Sequence, residues 1–262
     1  MAATCPAPPW FLASALVCVA CSGGTPADAG PVGDASSPLC PGDSGEGAIS
    51  TALVARLPPA DYVAQGNRYF DAIDVTAPAT SVPTYSELVV RWEWPPWLKL
   101  TGYTRDQLVD TDKVVKSKAP AAVTPRDCRF FAVQPFARCR VSFQYQEMGN
   151  GKPCPIYEEF TFDDLGEITF VEAWSDLPGQ LPSADPSDLW AEGASVHRLS
   201  TRVPGLGTAT GRIDLAGACM TKAAAADVDV ADFVLRAGDF WKYWFAESAA
   251  GGKDYFARGC GW

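Results

Sequence analysis

Two glutamates interrupt an otherwise apolar face, and they are the residues of this chain best suited to proton chemistry. In the alternation of residues 154–162, Ile156, Glu158, Phe160 and Phe162 share one side; in residues 167–174 the same side carries Ile168, Phe170, Glu172 and Trp174. Placing Asp163 opposite Glu167 across the intervening turn aligns Phe160 with Phe170 and sets Glu158 directly against Glu172. Like charges in that relation repel, so in apolar surroundings one carboxyl is expected to keep its proton at neutral pH. Such a pair offers an acid and a base together. The structural reading of the same residues sets both glutamates at the rim, or pairs them with Arg91, Arg129 or Arg198. Asp176 caps the segment after the second strand or joins the catalytic set. His197, the chain's single histidine, is the one candidate proton shuttle of its kind. A Ser195–His197 nucleophilic dyad lacks the Gly-x-Ser-x-Gly elbow that would expose it.

These residues need a sheet to hold them. Arg138–Tyr145 alternates with Cys139, Val141, Phe143 and Tyr145 on one side, and a Gly149-Asn150-Gly151 turn follows. Asp164-Leu165-Gly166 reads as a hairpin loop with glycine in the left-handed position. Period two over three successive segments predicts an antiparallel meander with one buried face. Ahead of it, Ala48–Arg56 and Asp61–Asp74 read as helices. The segment Val89–Leu98 brings Trp92, Trp94 and Trp97 together, as core or as the wall of an apolar pocket, before Pro95-Pro96 breaks regular structure. Ser195–Val203 reads as a short strand and the glycine-rich 205–211 as a loop. Asp229–Glu247 has helical periodicity, with Val230, Phe233, Val234, Ala237, Trp241, Trp244 and Phe245 in one stripe. Its acidic residues favour packing on the sheet over lying on a membrane.

The apolar run Trp10–Ala20 is too short to span a bilayer but suits an export signal. It ends in Cys18-Val19-Ala20-Cys21-Ser22, which resembles a bacterial lipoprotein signal and makes Cys21 the lipidated residue of a protein in the cell envelope. Residues 22–47, rich in Gly, Pro, Ala, Ser and Asp, read as a flexible linker. With Cys5 and Cys18 removed and Cys21 acylated, Cys40, Cys128, Cys139, Cys154, Cys219 and Cys260 remain, an even set that predicts disulfides without choosing their pairing. These six include no C-x-x-C pair, and with one histidine no metal site is expected. A net charge of −10 leaves no basic face for nucleic acid, while 47% hydrophobic residues suffice for a sizeable core.

The run Tyr157–Asp176 resembles the final hairpin of the NTF2-like superfamily, SnoaL-like branch, in its acidic-Gly turn followed by an Ile-containing strand that ends near an aromatic and an Asp. The resemblance covers Arg138–Asp176 and extends back to about Asp61. It implies an α+β fold in which a curved antiparallel sheet wraps helices as a cone, over residues 48–182, with a helical C-terminal extension at 183–262. It further implies a concave pocket for a small apolar or aromatic molecule, lined by Trp92, Trp94, Trp97, Tyr145, Phe160, Phe170 and Trp174, and no cofactor. Two functions follow from it: ligand binding by an envelope lipoprotein, or a cofactor-independent isomerase, dehydratase or cyclase working through Glu158 and Glu172, for which the resemblance implies a hydroxyl donor supplied by Tyr85, Tyr103 or Tyr145. Association as a homodimer is left open.

Overall fold

A computed structural model describes Cys40 and residues 54–78, 82–95, 101–206, 208–251 and 257–262. The expected lipidation site Cys21, Trp97 and most of the expected first helix lie outside these residues; Val54–Arg56, at its end, is not helical. The fold is α+β. Its six strands form an open mixed sheet in the order β2-β1-β6-β5-β4-β3. In chain order the elements are α1 (Pro59–Ile73), β1 (Tyr85–Glu93), β2 (Gly102–Tyr103), α2 (Arg105–Lys118), β3 (Ala121–Phe130), β4 (Ala137–Tyr145), β5 (Cys154–Phe162), β6 (Ile168–Ser175), α3 (Ala218–Ala226), α4 (Val228–Gly238) and α5 (Phe240–Gly251). All neighbours pair antiparallel except β1 and β6, which run parallel.

The predicted meander is β4-β5-β6, with Gly166 at φ +77° closing the β5–β6 turn. Asp163 locks that turn by accepting from the backbone N–H of Leu165 and Glu167, 2.9 Å each. Helix α1, expected at Asp61–Asp74, starts two residues earlier with proline in its first turn, where the missing N–H costs nothing. It rests on β4 at Gly66, where a side-chain Cβ would come within 3.1 Å of the Cys139 sulfur. Helix α2 and strands β1 and β3 carry no assignment from the sequence pattern. Thr104 caps α2 by accepting from the Gln107 N–H.

Contrary to the expectation of one buried face, β5 and β6 are buried on both sides. Helices α1 and α2 lie over the inner face. The outer face carries Val90, Trp92, Trp94, Tyr157, Phe170 and Trp174, and packs against Leu199, Val203, Leu206, Ile213, Met220 and the α4 residues Val230, Phe233 and Ala237. The C-terminal extension thus acts as the sheet's second covering layer. Ser195–Val203 is not a strand; its one ladder contact is a bridge between Ser183 and Val196.

The predicted helix over Asp229–Glu247 is two helices. Gly238 and Asp239 are a stop and a start signal in succession. The Asp239 N–H closes α4 on the Leu235 carbonyl, and its own carbonyl accepts from the Tyr243 N–H. The α4 half carries the buried part of the stripe, whereas Trp241 and Phe245 are exposed.

The six cysteines form three disulfides, Cys40–Cys219, Cys128–Cys139 and Cys154–Cys260. Such stapling belongs to an oxidising, non-cytoplasmic compartment. Cys154–Cys260 joins β5 to a segment 106 residues away, so Cys154→Ala with Cys260→Ala is expected to cost about 2–5 kcal/mol. Denaturant unfolding under non-reducing conditions checks this; an unchanged midpoint would contradict it.

Candidate functional site

The hairpin register decides which acids meet. Near the turn, Phe162 pairs with Ile168, in line with the sequence arithmetic; one step later Thr161 pairs with Phe170. Thr169 is the extra residue, a β-bulge, fully buried, with its hydroxyl donating to the Thr161 carbonyl at 3.2 Å. Beyond it Glu159 lies opposite Glu172, and Glu158 opposite Ala173. A one-residue slip exchanges the two faces of a strand. The expected Glu158–Glu172 acid–base pair is therefore absent: Glu158 points to the helix side and Glu172 to the outer side. The expected aromatic pocket divides in the same way, with Tyr145 and Phe160 inside, and Trp92, Trp94, Phe170 and Trp174 outside.

The outer acids fasten the extension to the sheet. Glu172 accepts from the Trp94 indole N–H at 2.7 Å, from the Ser200 N–H at 3.1 Å and from the Leu199 N–H. Burial pushes its carboxyl up to about 7 against these donors. Glu159 takes both arms of the Arg198 guanidinium and the Tyr157 hydroxyl, the latter at 2.7 Å. Arg198 and Arg138 both also donate to the Ala191 carbonyl. The alternative that paired Glu158 or Glu172 with Arg198 is not met, since Arg198 takes Glu159.

The other two catalytic candidates, Asp176 and His197, make contacts away from Glu158. Asp176 forms a two-pronged bridge with Arg140, 2.7 Å on each arm. His197 is exposed, its ring is tilted against Trp94 at 4.4 Å between centroids, and it lies 3.5 Å from Asp229. Nothing in this geometry makes it a proton shuttle to Glu158 on the opposite face.

The inner face holds a polar cluster that sequence reasoning saw only in part. Arg91 of β1 is ion-paired with Asp112 of α2, and both are almost completely buried. The Arg91 guanidinium also sits over the Tyr69 ring, 5.4 Å from its centroid. Burial raises the Asp112 carboxyl above the usual range, and Arg91 opposes the rise. Burial pushes Glu158 up to about 8; Arg91 and a hydrogen bond with Tyr69 oppose this, while Glu93 and Asp112 add to it. At neutral pH Glu158 is thus a neutral hydrogen-bond donor. Tyr69, Tyr85 and Tyr145 are all raised by burial and all feel the Glu158 charge. The Tyr85 hydroxyl lies close enough to Arg91 and Asp112 to interact with both, without completing a hydrogen bond of good geometry.

Four buried atoms in this cluster make no hydrogen bond of good geometry: Tyr85 Oη, Arg91 Nε, Asp112 Oδ2 and Glu158 Oε2. A buried polar atom left without a hydrogen bond costs about 1–3 kcal/mol, so this cluster holds polar capacity that its own contacts leave partly unused. Of the tyrosines expected as donors, Tyr85 and Tyr145 lie in the inner core within electrostatic reach of Glu158; the Tyr103 hydroxyl instead donates to the Ile213 carbonyl. Asp112 and Tyr69 were missed as site residues. The helical spacing of Leu108, Thr111 and Asp112, all buried, is the signal that would have flagged Asp112.

A separate open groove of about 490 Å³ runs between the start of β1, the β5–β6 turn and the 209–212 loop. Its walls set Glu87, Asp163 and Glu167 against Arg105 and Arg212, and none of the expected ligand-binding residues lines it. Among the described residues no cluster of ligating side chains suits a metal ion. No protein-family model and no curated protein matches the chain.

Two outcomes are expected. Glu159→Ala strands the buried Arg198 charge and should cost about 3–5 kcal/mol in chemical denaturation, far more than an exposed acid. In the unfolded chain both Glu158 and Glu172 release protons near the ordinary 4.5; in the fold they hold them to about 8 and 7. Between those values the folded state binds more protons, so stability falls as pH rises from about 5 to 8, at up to about 1.4 kcal/mol per pH unit for each group. Thermal melts of wild type and Glu158→Gln across that range should show a shallower decline in the variant; parallel curves would contradict it.

Proposed function

We propose that this chain is an exported, lipid-anchored NTF2-like protein that binds a small, largely apolar or aromatic molecule between helices α1 and α2 and the inner face of the sheet. The order helix, strand, helix, then a meander whose last strand returns beside β1, supports the likeness to that superfamily. The disulfides support export. The lipid anchor rests on the residues around Cys21.

The observation that carries the binding reading is the set of orphaned atoms inside an aromatic interior. Tyr69, Phe70, Phe143 and Phe160 pack edge-on within that interior, giving an apolar ligand body its contacts. The protonated Glu158, the Arg91 Nε–H and the Tyr85 hydroxyl are donors, and Asp112 Oδ2 is an acceptor. Together they suit the polar end of a molecule bearing a carbonyl or hydroxyl group. With Glu158 and Glu172 on opposite faces, the isomerase or dehydratase reading built on that pair is not carried forward.

Native mass spectrometry of protein purified without denaturation is expected to show a small bound molecule, and 1-naphthol, a simple aromatic hydroxyl probe, should raise the melting temperature. Glu158→Gln should weaken probe binding about tenfold, the loss of one hydrogen bond to a buried partner. Wild-type binding should decline as pH rises through about 8. Equal affinity in the variant, with no pH dependence, would overturn the reading.

A further inference from the structure

The charged groove at the end of the sheet is a product of irregular strand pairing. Tyr85 of β1 pairs with Ile168 of β6 and Val90 with Phe170, so four residues of β1 face the single residue Thr169. The surplus chain leaves the regular ladder, and three of those residues, Ser86, Glu87 and Leu88, line the groove. The glycine-rich stretch that reads as a loop in the sequence supplies another wall. Gly211, at φ +56°, lies so close to Thr169 that a Cβ would come within 2.4 Å of its methyl carbon. The Asp164 N–H donates to the Ala209 carbonyl and the Gly211 N–H to the Thr208 carbonyl, 3.0 Å each. These contacts fix Ala209, Thr210 and Arg212 beside the β5–β6 turn.

The charges placed there do not neutralise one another. Arg105 donates its Nε–H to the Tyr85 carbonyl at 3.0 Å, which leaves both Nη groups for another acceptor. The side chains of Arg212, Glu87 and Glu167 make no hydrogen bond and no ion pair among the described residues. Asp163 is the buried member of the set, 5% exposed; both N–H groups of the turn meet its Oδ1, and its Oδ2 accepts from no donor. Asp164 alone is paired, with Arg56 at 3.5 Å. Two guanidinium groups and three carboxyls thus line one concavity from four separate segments, each with hydrogen-bonding capacity to spare. A guanidinium fork matches a carboxylate, and a carboxyl oxygen without a donor matches an ammonium. Leu88 and Leu165, the latter 76% exposed, add apolar contact for a side chain. A volume of about 490 Å³ suits a molecule of that size.

We propose that this groove binds a small zwitterion of amino-acid or dipeptide size, its carboxylate on Arg105 and Arg212 and its ammonium on Asp163 and Glu167. The test is isothermal titration of the protein with L-leucyl-L-leucine, beside the N-acetyl and C-amide forms of the same dipeptide. The free dipeptide is expected to bind, and each blocked form about tenfold more weakly, the loss of one charge-assisted contact. Arg212→Gln should weaken the free dipeptide about tenfold and leave the C-amide form unchanged. Glu167→Gln should do the same with the N-acetyl form as the unaffected ligand. Both variants should keep the wild-type melting temperature, because neither side chain is paired in the fold. Glu158→Gln should leave the titration unchanged, so this site and the inner-face site stand or fall separately. Equal affinity for free and blocked forms overturns the proposal, as does the absence of heat with all three at millimolar concentration, or wild-type affinity in both groove variants. Inorganic phosphate binding as tightly as the dipeptide gives the guanidinium groups to a simple anion and overturns the zwitterion assignment.

Discussion

One extra residue in β6 governs both faces of this sheet. Thr169 has no counterpart in β5, so the side chains that follow it are turned over relative to those before it. Ile168 stays with the inner core, while Phe170, Glu172 and Trp174 pass to the outer one. Without the bulge Glu158 would lie opposite Glu172 across the hairpin; with it Glu159 takes that place on the outer face. With it, Glu158 enters the Arg91–Asp112 cluster and Glu172 meets the backbone N–H groups of the extension.

That division explains how a sheet with charged residues in its centre is stable when covered on both sides. A buried carboxylate is costly unless it is paired or takes up a proton, and the two faces solve this differently. Outside, Glu159 is matched by Arg198 and Tyr157, and Glu172 by three donors, so the acids become the attachment points of residues 190–200. Inside, a single guanidinium serves several acidic neighbours. Arg91 is committed to Asp112, and Glu158 answers burial by holding its proton. On the outer face both acids are matched by donors; on the inner face Glu158 and Asp112 each keep an oxygen without a hydrogen bond of good geometry, and the binding reading is placed there for that reason.

The extension is integral to this arrangement. It supplies Leu199, Val203, Met220 and Phe233 to a core that the meander alone would leave open to water. Arg202 ties its first part to the start of α4 through Asp227 and Asp229, and two of the three disulfides end in it. Helix α5 lies beyond the break at Gly238–Asp239, where the same periodic stripe no longer has a sheet to cover.

Local patterns were legible in the sequence because local forces make them. Alternation gave the β4-β5-β6 meander, Asp164-Leu165-Gly166 gave its left-handed turn, helical spacing gave α1, and an even set of six cysteines gave stapling. The identity of the acids worth attention was legible too, since Glu158 and Glu172 stand where apolar residues are expected. Their relation was not. A bulge leaves no mark in an alternating apolar pattern when both faces are buried, because Phe170 and Trp174 are as apolar as the residues they displace. The break in the last helix was written in Gly238-Asp239 but outweighed by the aromatic stripe that runs through it. Only the tertiary structure decided that Glu159 rather than Glu158 faces Glu172, that Asp112 and Tyr69 come from distant helices to meet Arg91, and that the extension closes the outer face. Each of these depends on contacts between segments far apart in the chain, and side-chain periodicity within one segment carries no information about its partner.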